Sequence, residues 1–388
     1  MVTTREPPPS LASALPPEWE FQLSSQPITC EEQHRFRDEL ASLGVDEHVW
    51  DVFNSVLATG SRYSRPLALR AFDVSGLVGI AFIYECRRTG ECFFDPPYST
   101  LMDIPATPMF VWLRYGVTVD HFANPGFVVD CNDRELFVER AARFLLRQYL
   151  FGTVVEFRDS VSLPGAVKSP FVDNGVIDLM GIGSVEDYTG RGKNLPRKLK
   201  KFRNKGGEIR IIKGVLPDEL REAALQAFDT LTIAIRTPYQ DNYLDMAGAG
   251  MSSDDASNVH VVALLDGVYV GHQSFCHSGH GLACQSGAFD RARKSTYHAY
   301  ENIIVASVEY ALEHRLQRID YGPTTNETKA KMMTDFIPCE NRTYARYRPI
   351  AAALPLILNR SKISPARMAQ WCNLGDQARE NEKRAPAS

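Results

Sequence analysis

The chain of 388 residues is 44% hydrophobic and 23% charged, a globular balance, and its length suits two or three domains with packed cores. A formal net charge of −4 gives no global attraction for nucleic acid or an anionic membrane, so a polyanion must be met by a local patch. No apolar run approaches the roughly 20 residues that span a bilayer. The opening MVTTREPPPSLASALPPEWE, with five prolines and no uninterrupted apolar core, reads as part of a flexible arm (1–28) rather than a secretory signal, and the cytoplasm is the expected compartment. Eight cysteines lie without a CxxC pair, several in apolar runs, so buried thiols are expected and metal ligands are not.

In chain order, EEQHRFRDELASLGVDEHVWDVFNSVLATG (31–60) spaces Phe36, Leu40, Val49 and Phe53 helically, with Gly44 and Gly60 as stops, which predicts two helices. PLALRAFD (66–73), a VSG turn and LVGIAFIYEC (77–86) predict a β-hairpin. A proline-rich stretch (95–108) precedes strand-like FVWLRYGVTV (110–119) and GFVVD (126–130). An amphipathic helix from Asp133 carries Val138, Ala142, Leu145 and Tyr149, and TVVEFRD (153–159) follows as a strand.

Between residues 183 and 214, Ser184 with Asp187 reads as a capping box, Pro196 suits a first helical turn, and Gly206–Gly207 stop the helix. EIRIIK (208–213) alternates as a strand, and residues 217–231 form a helix with Leu220, Ala224, Phe228 and Leu231 on one side. VHVVALL (259–265), a DG turn, VYVGHQSFC (268–276), the turn HSGHG and LACQSGAF (282–289) predict a three-strand meander. A helix from about Tyr300 and the strand QRIDY (317–321) complete the pattern. The order hairpin, strand, amphipathic helix, short strand thus occurs twice. It predicts two α/β domains of one type, at 29–179 and 180–350, before a helical extension and tail at 351–388.

The run TGRGKNLPRKLKKFRNKGGEIRI, the DG hairpin and GAFDRARKSTYHAYENIIVASVEYALEHRLQRIDYGPTTNETKAKM resemble the second half of tandem GNAT-fold acyltransferases of the CelD-like and FemAB-like group. The match covers about residues 180–348, and the first half resembles the group in element order alone. The resemblance implies an α/β fold of two GNAT-like domains in tandem, each a mixed, mostly antiparallel sheet flanked by helices. It places the active cleft in the second domain, with the first degenerate or gripping the acceptor. It also implies direct transfer of an acyl group to the amine of a small molecule, with no tightly bound cofactor. The donor is acyl-CoA, an acyl carrier protein or, as in Fem-type enzymes, aminoacyl-tRNA; a non-catalytic binding protein with the duplicated fold is a further alternative. Neither DNA nor a membrane is an expected partner.

Acyl transfer needs a donor to the developing oxyanion, a route for the amine proton, and positioning. Asp290, at the end of the central strand, is the candidate for orienting or deprotonating the amine, or else caps the turn. His298 takes the proton or contacts the donor, or is simply exposed; Tyr321 protonates the leaving group or packs in the core. Acyl-CoA-dependent GNAT enzymes carry a glycine-rich turn at the strand-to-helix junction, whereas residues 289–304 contain no glycine. Arg293, Lys294, Ser295 and Thr296 then form either a modified phosphate site, with Lys329 beyond, or an ordinary basic turn. Arg236, Tyr239, Asp241, His272 and Gln285 are candidates for the acceptor pocket. Nine Lys/Arg against one acid lie between Arg191 and Arg210. Of these, Arg197, Lys198, Lys200, Lys201, Arg203 and Lys205 make a docking surface for a carrier protein or tRNA, or a plain solvated face.

Overall fold

The computed structural model describes residues 19–42, 50, 54, 57, 64–86, 109–113, 127–129, 134–157, 166–170, 173–190, 194–235, 251–252, 257–278, 281–290, 298–323 and 327–357. In chain order the elements are β1 (Glu20–Ser24), α1 (Cys30–Arg35), α2 (Arg37–Ser42), β2 (Ser64–Asp73), β3 (Gly76–Cys86), β4 (Met109–Leu113), β5 (Phe127–Val129), α3 (Arg134–Gln148), β6 (Phe151–Phe157) and β7 (Val167–Pro170). Then come β8 (Asn174–Asp178), α4 (Val185–Thr189), α5 (Leu195–Arg203), β9 (Gly207–Lys213), α6 (Asp218–Ile235), β10 (Asn258–Leu265), β11 (Val268–Ser278) and β12 (Gly281–Phe289). The last are α7 (Ala299–Glu313), β13 (Arg318–Pro323), α8 (Glu327–Met332), β14 (Asp335–Ile337), β15 (Cys339–Ala345) and α9 (Arg348–Ile357).

Two mixed sheets result. The first runs β1-β2-β3-β4-β6-β15-β7, with β5 also against β3, and the second runs β14-β8-β13-β12-β11-β10-β9. Each contains one parallel pair, β4 with β6 and β12 with β13; the other pairings are antiparallel. This is the architecture of two GNAT-like α/β domains in tandem.

The sheets do not follow the contiguous halves expected from sequence. Strand β8, before residue 179, lies in the second sheet between β13 and β14, and β15, from the far end of the chain, lies in the first between β6 and β7. The exchange interlocks the domains. Neither short strand has a hairpin partner next to it in sequence to announce which sheet it joins.

The expected arm is also shorter than predicted. Glu20–Ser24 is an edge strand on β2, because Trp19 and Phe21 alternate toward the aromatic rings of Phe137 and Phe144 on α3. Buried Arg70 ties down the residues that follow, donating to Glu32 at 2.6 Å and to the Pro27 carbonyl at 2.8 Å.

Helix α3 buries Phe137, Val138, Ala141, Ala142 and Leu145 against Leu69, Ala81, Ile83, Phe110 and Val154 of the first sheet. In the second domain α7 is buried almost all round, and packs Ile303, Ile304 and Val308 on Val259, Val261, Phe275 and Leu282. Each such large side chain contributes about 1.5–3 kcal/mol on burial. The opposite face of this sheet is covered in two parts. Helix α6 packs Ala224 and Phe228 near Val262, Leu264 and Ala288, whereas Cys276 and Ala283 join a cluster with Ala68, Leu77, Ile80 and Phe82 of the first domain.

Candidate active site

The parallel strands β12 and β13 pair for three residues, Gly281 with Arg318, Leu282 with Ile319 and Ala283 with Asp320. Beyond them, among the described residues, β12 keeps only β11 as partner to Phe289, while β13 pairs with β8 with an irregular register between Asp320 and Pro323. A gap opens from Cys284 and Tyr321 onward. Pairing of β11 with β12 steps from Ser274–Ser286 to Phe275–Cys284, which leaves Gln285 as the extra residue of a bulge. A bulge bends its strand and re-aims a side chain, consistent with the divergence of β12 from β13.

Toward α7 the gap is lined by polar groups set in apolar packing. Lys329 is buried, and its Nζ donates to the Tyr321 carbonyl and, at 3.1 Å, to the Gly322 carbonyl. It therefore serves backbone acceptors at the irregular stretch of β13. Burial pulls its pKa down to about 8, with Cys284 and Asp320 acting in the opposite direction. Burial pushes the Cys284 thiol up to about 12, opposed by Lys329 and reinforced by Asp320. Gln273 Nε2 lies 3.9 Å from the Cys284 sulfur.

Tyr321 is expected either at the leaving group or packed in the core, and it is packed. It is 3% exposed, its ring meets Phe275 edge-on at 5.6 Å, and its hydroxyl bonds Ser307. The structure thus gives Tyr321 and Lys329 supporting positions in the core, because both hydrogen-bonding ends are occupied beneath α7.

The sheet's other face carries a buried polar ladder between the α6 cluster and the interdomain cluster. His260 Nε2 lies 2.8 Å from the Gly214 carbonyl, and its Nδ1 lies 2.8 Å from Ser274 Oγ. A carbonyl only accepts, so Nε2 carries the proton and Nδ1 accepts from the serine. The Tyr269 hydroxyl lies 2.6 Å from His272 Nδ1 and 3.1 Å from the Ala288 carbonyl, and its single proton serves one of the two. His272 Nε2 is buried and has no hydrogen-bond partner among the described residues. Burial, and then the neighbouring His260, pull the His272 pKa down to about 3. Sequence reasoning named His272 but did not group it with Ser274 and Tyr269. The available signal was the polar run His272–Gln273–Ser274 between the apolar residues Val268–Val270 and Phe275–Cys276.

Asp290 is half-buried just past β12, with its backbone N–H donating to the Val270 carbonyl at 2.9 Å, and its charge acts on Tyr269. Gln285 is half-buried at the bulge. His298 is the N-cap of α7 in a left-handed conformation, φ 57°, with Nδ1 3.4 Å from Glu301 Oε1. Lys198 is not part of a free cationic face: its Nζ lies 2.8 Å from the same Glu301 oxygen. Arg197, Lys200, Lys201, Arg203 and Lys205 are exposed. Arg236, Tyr239, Asp241, Arg293, Lys294, Ser295 and Thr296 lie outside the described residues.

A groove of about 830 Å³, lined by Trp19, Phe72 and Arg140, Arg143 and Arg147 of α3, lies in the first domain and holds none of the expected site residues. Among the described residues no group of three His, Cys, Asp or Glu could hold a metal ion, and no helix is long and apolar enough to cross a membrane.

No protein-family profile matches the sequence, and no curated protein does. Solved structures do. The C-terminal domain of a protein named as a lysylphosphatidylglycerol synthetase, from Agrobacterium fabrum, superposes with a TM-score of 0.50 at 12% identity, over 83% of this chain and 98% of that one. A tandem GNAT protein from the clavulanic acid biosynthesis pathway has a TM-score of 0.48 at 14% identity, over 85% of this chain and 99% of that one. For FemX the values are 0.45 and 11%, over 81% and 97%. At such identities the likeness is one of fold.

Proposed function

We propose that this chain is an N-acyltransferase in which an amine attacks a thioester donor, carried by CoA or an acyl carrier protein, directly at the gap between β12 and β13. The observation that carries the reading is that gap: two parallel strands part after three pairs and leave an edge of β12 beyond the bulge for an extended donor arm. The donor approaches past α7 and His298. The acceptor approaches on the face of His272, Gln285 and Asp290. Nitrogen attacks the carbonyl carbon, the C–N bond forms, the C–S bond breaks and the thiolate leaves. Asp290 orients the amine and receives its proton. Cys284 forms no acyl-enzyme in this scheme, since burial keeps its thiol protonated.

A second reading, with aminoacyl-tRNA as donor, is favoured by the glycine-free junction at residues 289–304. Incubation of the purified chain with an amine pool and, separately, acetyl-CoA, a charged carrier protein and charged tRNA distinguishes the two by mass spectrometry of the products. Amide formed from either thioester supports the first reading. Amide formed from tRNA alone, and abolished by ribonuclease, overturns it.

A further inference from the structure

Helix α5 is held on one side and bare on the other. Leu195 and Phe202 are buried, and Lys198 reaches Glu301 in the first turn of α7. Gly207 has no side chain where the Phe202 ring lies; a Cβ there would stand 2.5 Å from Phe202 Cδ1. On the outer side Arg197, Lys200, Lys201, Arg203 and Lys205 are all exposed, and no acid among the described residues pairs with any of the five. Arg197, Lys200 and Lys201 lie within the helix at intervals of three and four, and Lys205 stands in the turn just past its C-cap Asn204. The nine-residue helix is roughly 14 Å long, so these cations form one short, fixed ridge beside α7.

We propose that this ridge docks an acidic helix of the protein that carries the thioester donor. The inference rests on the thioester reading of the gap, and it names the partner. The chain is net negative, formally −4, so an acidic protein is repelled over most of the surface and attracted at the ridge, which orients it. An acidic helix with Asp or Glu at intervals of three and four matches the spacing and length of α5. Nucleic acid matches less well. Grooves for single strands interleave aromatic platforms with their cations, whereas the exposed residues from 194 to 205 include no aromatic and three of the five cations are lysines. The Lys198–Glu301 pair then couples the docked carrier to the first turn of α7, where its arm enters.

The test uses the full chain and, as probe, an acidic acyl carrier protein bearing its phosphopantetheine arm, titrated by fluorescence anisotropy. The variants are Lys200→Glu/Lys201→Glu/Lys205→Glu and the charge-keeping Lys200→Arg/Lys201→Arg/Lys205→Arg. Reversal is expected to weaken carrier binding roughly tenfold or more, and the arginine variant to retain it. Binding should also fade between about 0.1 M and about 1 M salt, as the screening length falls from about 10 Å to about 3 Å. Turnover of the same acyl chain on CoA should be equal in the wild type and the reversed variant, which also verifies folding. Unchanged carrier binding after reversal overturns the inference, as does tighter binding of an acceptor-stem RNA duplex than of the carrier. Charge-dependent carrier binding with no transfer from either donor upholds the docking site and removes the thioester chemistry.

Discussion

Lys198 Nζ lies 2.8 Å from Glu301 Oε1, so the basic helix α5 is fastened to the first turn of α7 by a pair whose acid is largely buried. Burial alone would raise the Glu301 pKa, but the Lys198 hydrogen bond, its own backbone N–H and nearby cationic charge hold it below 4.5. Lys198→Met should therefore cost about 1–3 kcal/mol, because it strands a buried carboxylate, and Lys198→Met/Glu301→Gln should recover part of the loss. Urea unfolding of the double-mutant cycle at pH 7 measures both. The folded-state pKa is depressed, so the contribution is full above about pH 4.5 and declines as pH falls further.

His272 makes stability pH-dependent in a different window. Its folded pKa is about 3 against an ordinary value of 6.5, so between them the unfolded chain binds a proton that the folded chain does not. Stability should fall as pH is lowered from about 6.5 toward 3, by up to about 1.4 kcal/mol per pH unit from this group. Denaturant midpoints of His272→Gln should show a shallower slope than wild type over that range. Asp290→Asn, which removes the proposed proton acceptor, should lose about 10²–10⁴-fold in turnover with the fold intact by circular dichroism.

Cysteine accessibility tests direct attack. Cys30 is exposed, whereas Cys276 and Cys339 are buried and the Cys284 thiol is pushed up to about 12. Brief alkylation of the native chain followed by peptide mass spectrometry should label Cys30 and spare these three. Cys284→Ala should keep acyl transfer within about threefold of wild type, since a residue outside the reacting set acts only through packing. Loss of a covalent acyl adduct in this variant, with loss of turnover, would instead identify an acyl-enzyme.

The strand exchange predicts that the chain cannot be divided at residue 179. A fragment ending there lacks β15 and its buried Arg342, Thr343 and Tyr344, and the remainder lacks β8 with buried Val176 and Ile177. Each fragment alone should be insoluble or show no cooperative thermal transition. Cooperative unfolding of either one in isolation would show that the exchanged strand is dispensable.

The reading from sequence succeeded where the signal is local. The apolar spacing of α3 and α7, the hairpin of β2 and β3, Pro196 in the first turn of α5 and the alternation of β9 depend on near neighbours along the chain, and these elements stand where expected. It failed at Glu20–Ser24, where prolines upstream concealed an aromatic edge strand, and at β8 and β15, whose partners are distant in sequence.

Within the site, residue types were legible and their roles were not. Tyr321 and Lys329 are buried beside the gap, and their polar ends are satisfied by Ser307 and by backbone carbonyls. Their roles depend on which way a side chain turns in a packed core, and that is set by non-local contacts.

The sequence by itself determined two α/β units of one type, the basic helix and the glycine-free junction, because periodicity, charge and composition act over a few residues. Only the tertiary structure decided where β12 leaves β13, which sheet receives β15, and that His272 is buried beside Tyr269. Each of these depends on contacts between segments far apart in the chain, and no local pattern encodes the register in which such segments meet.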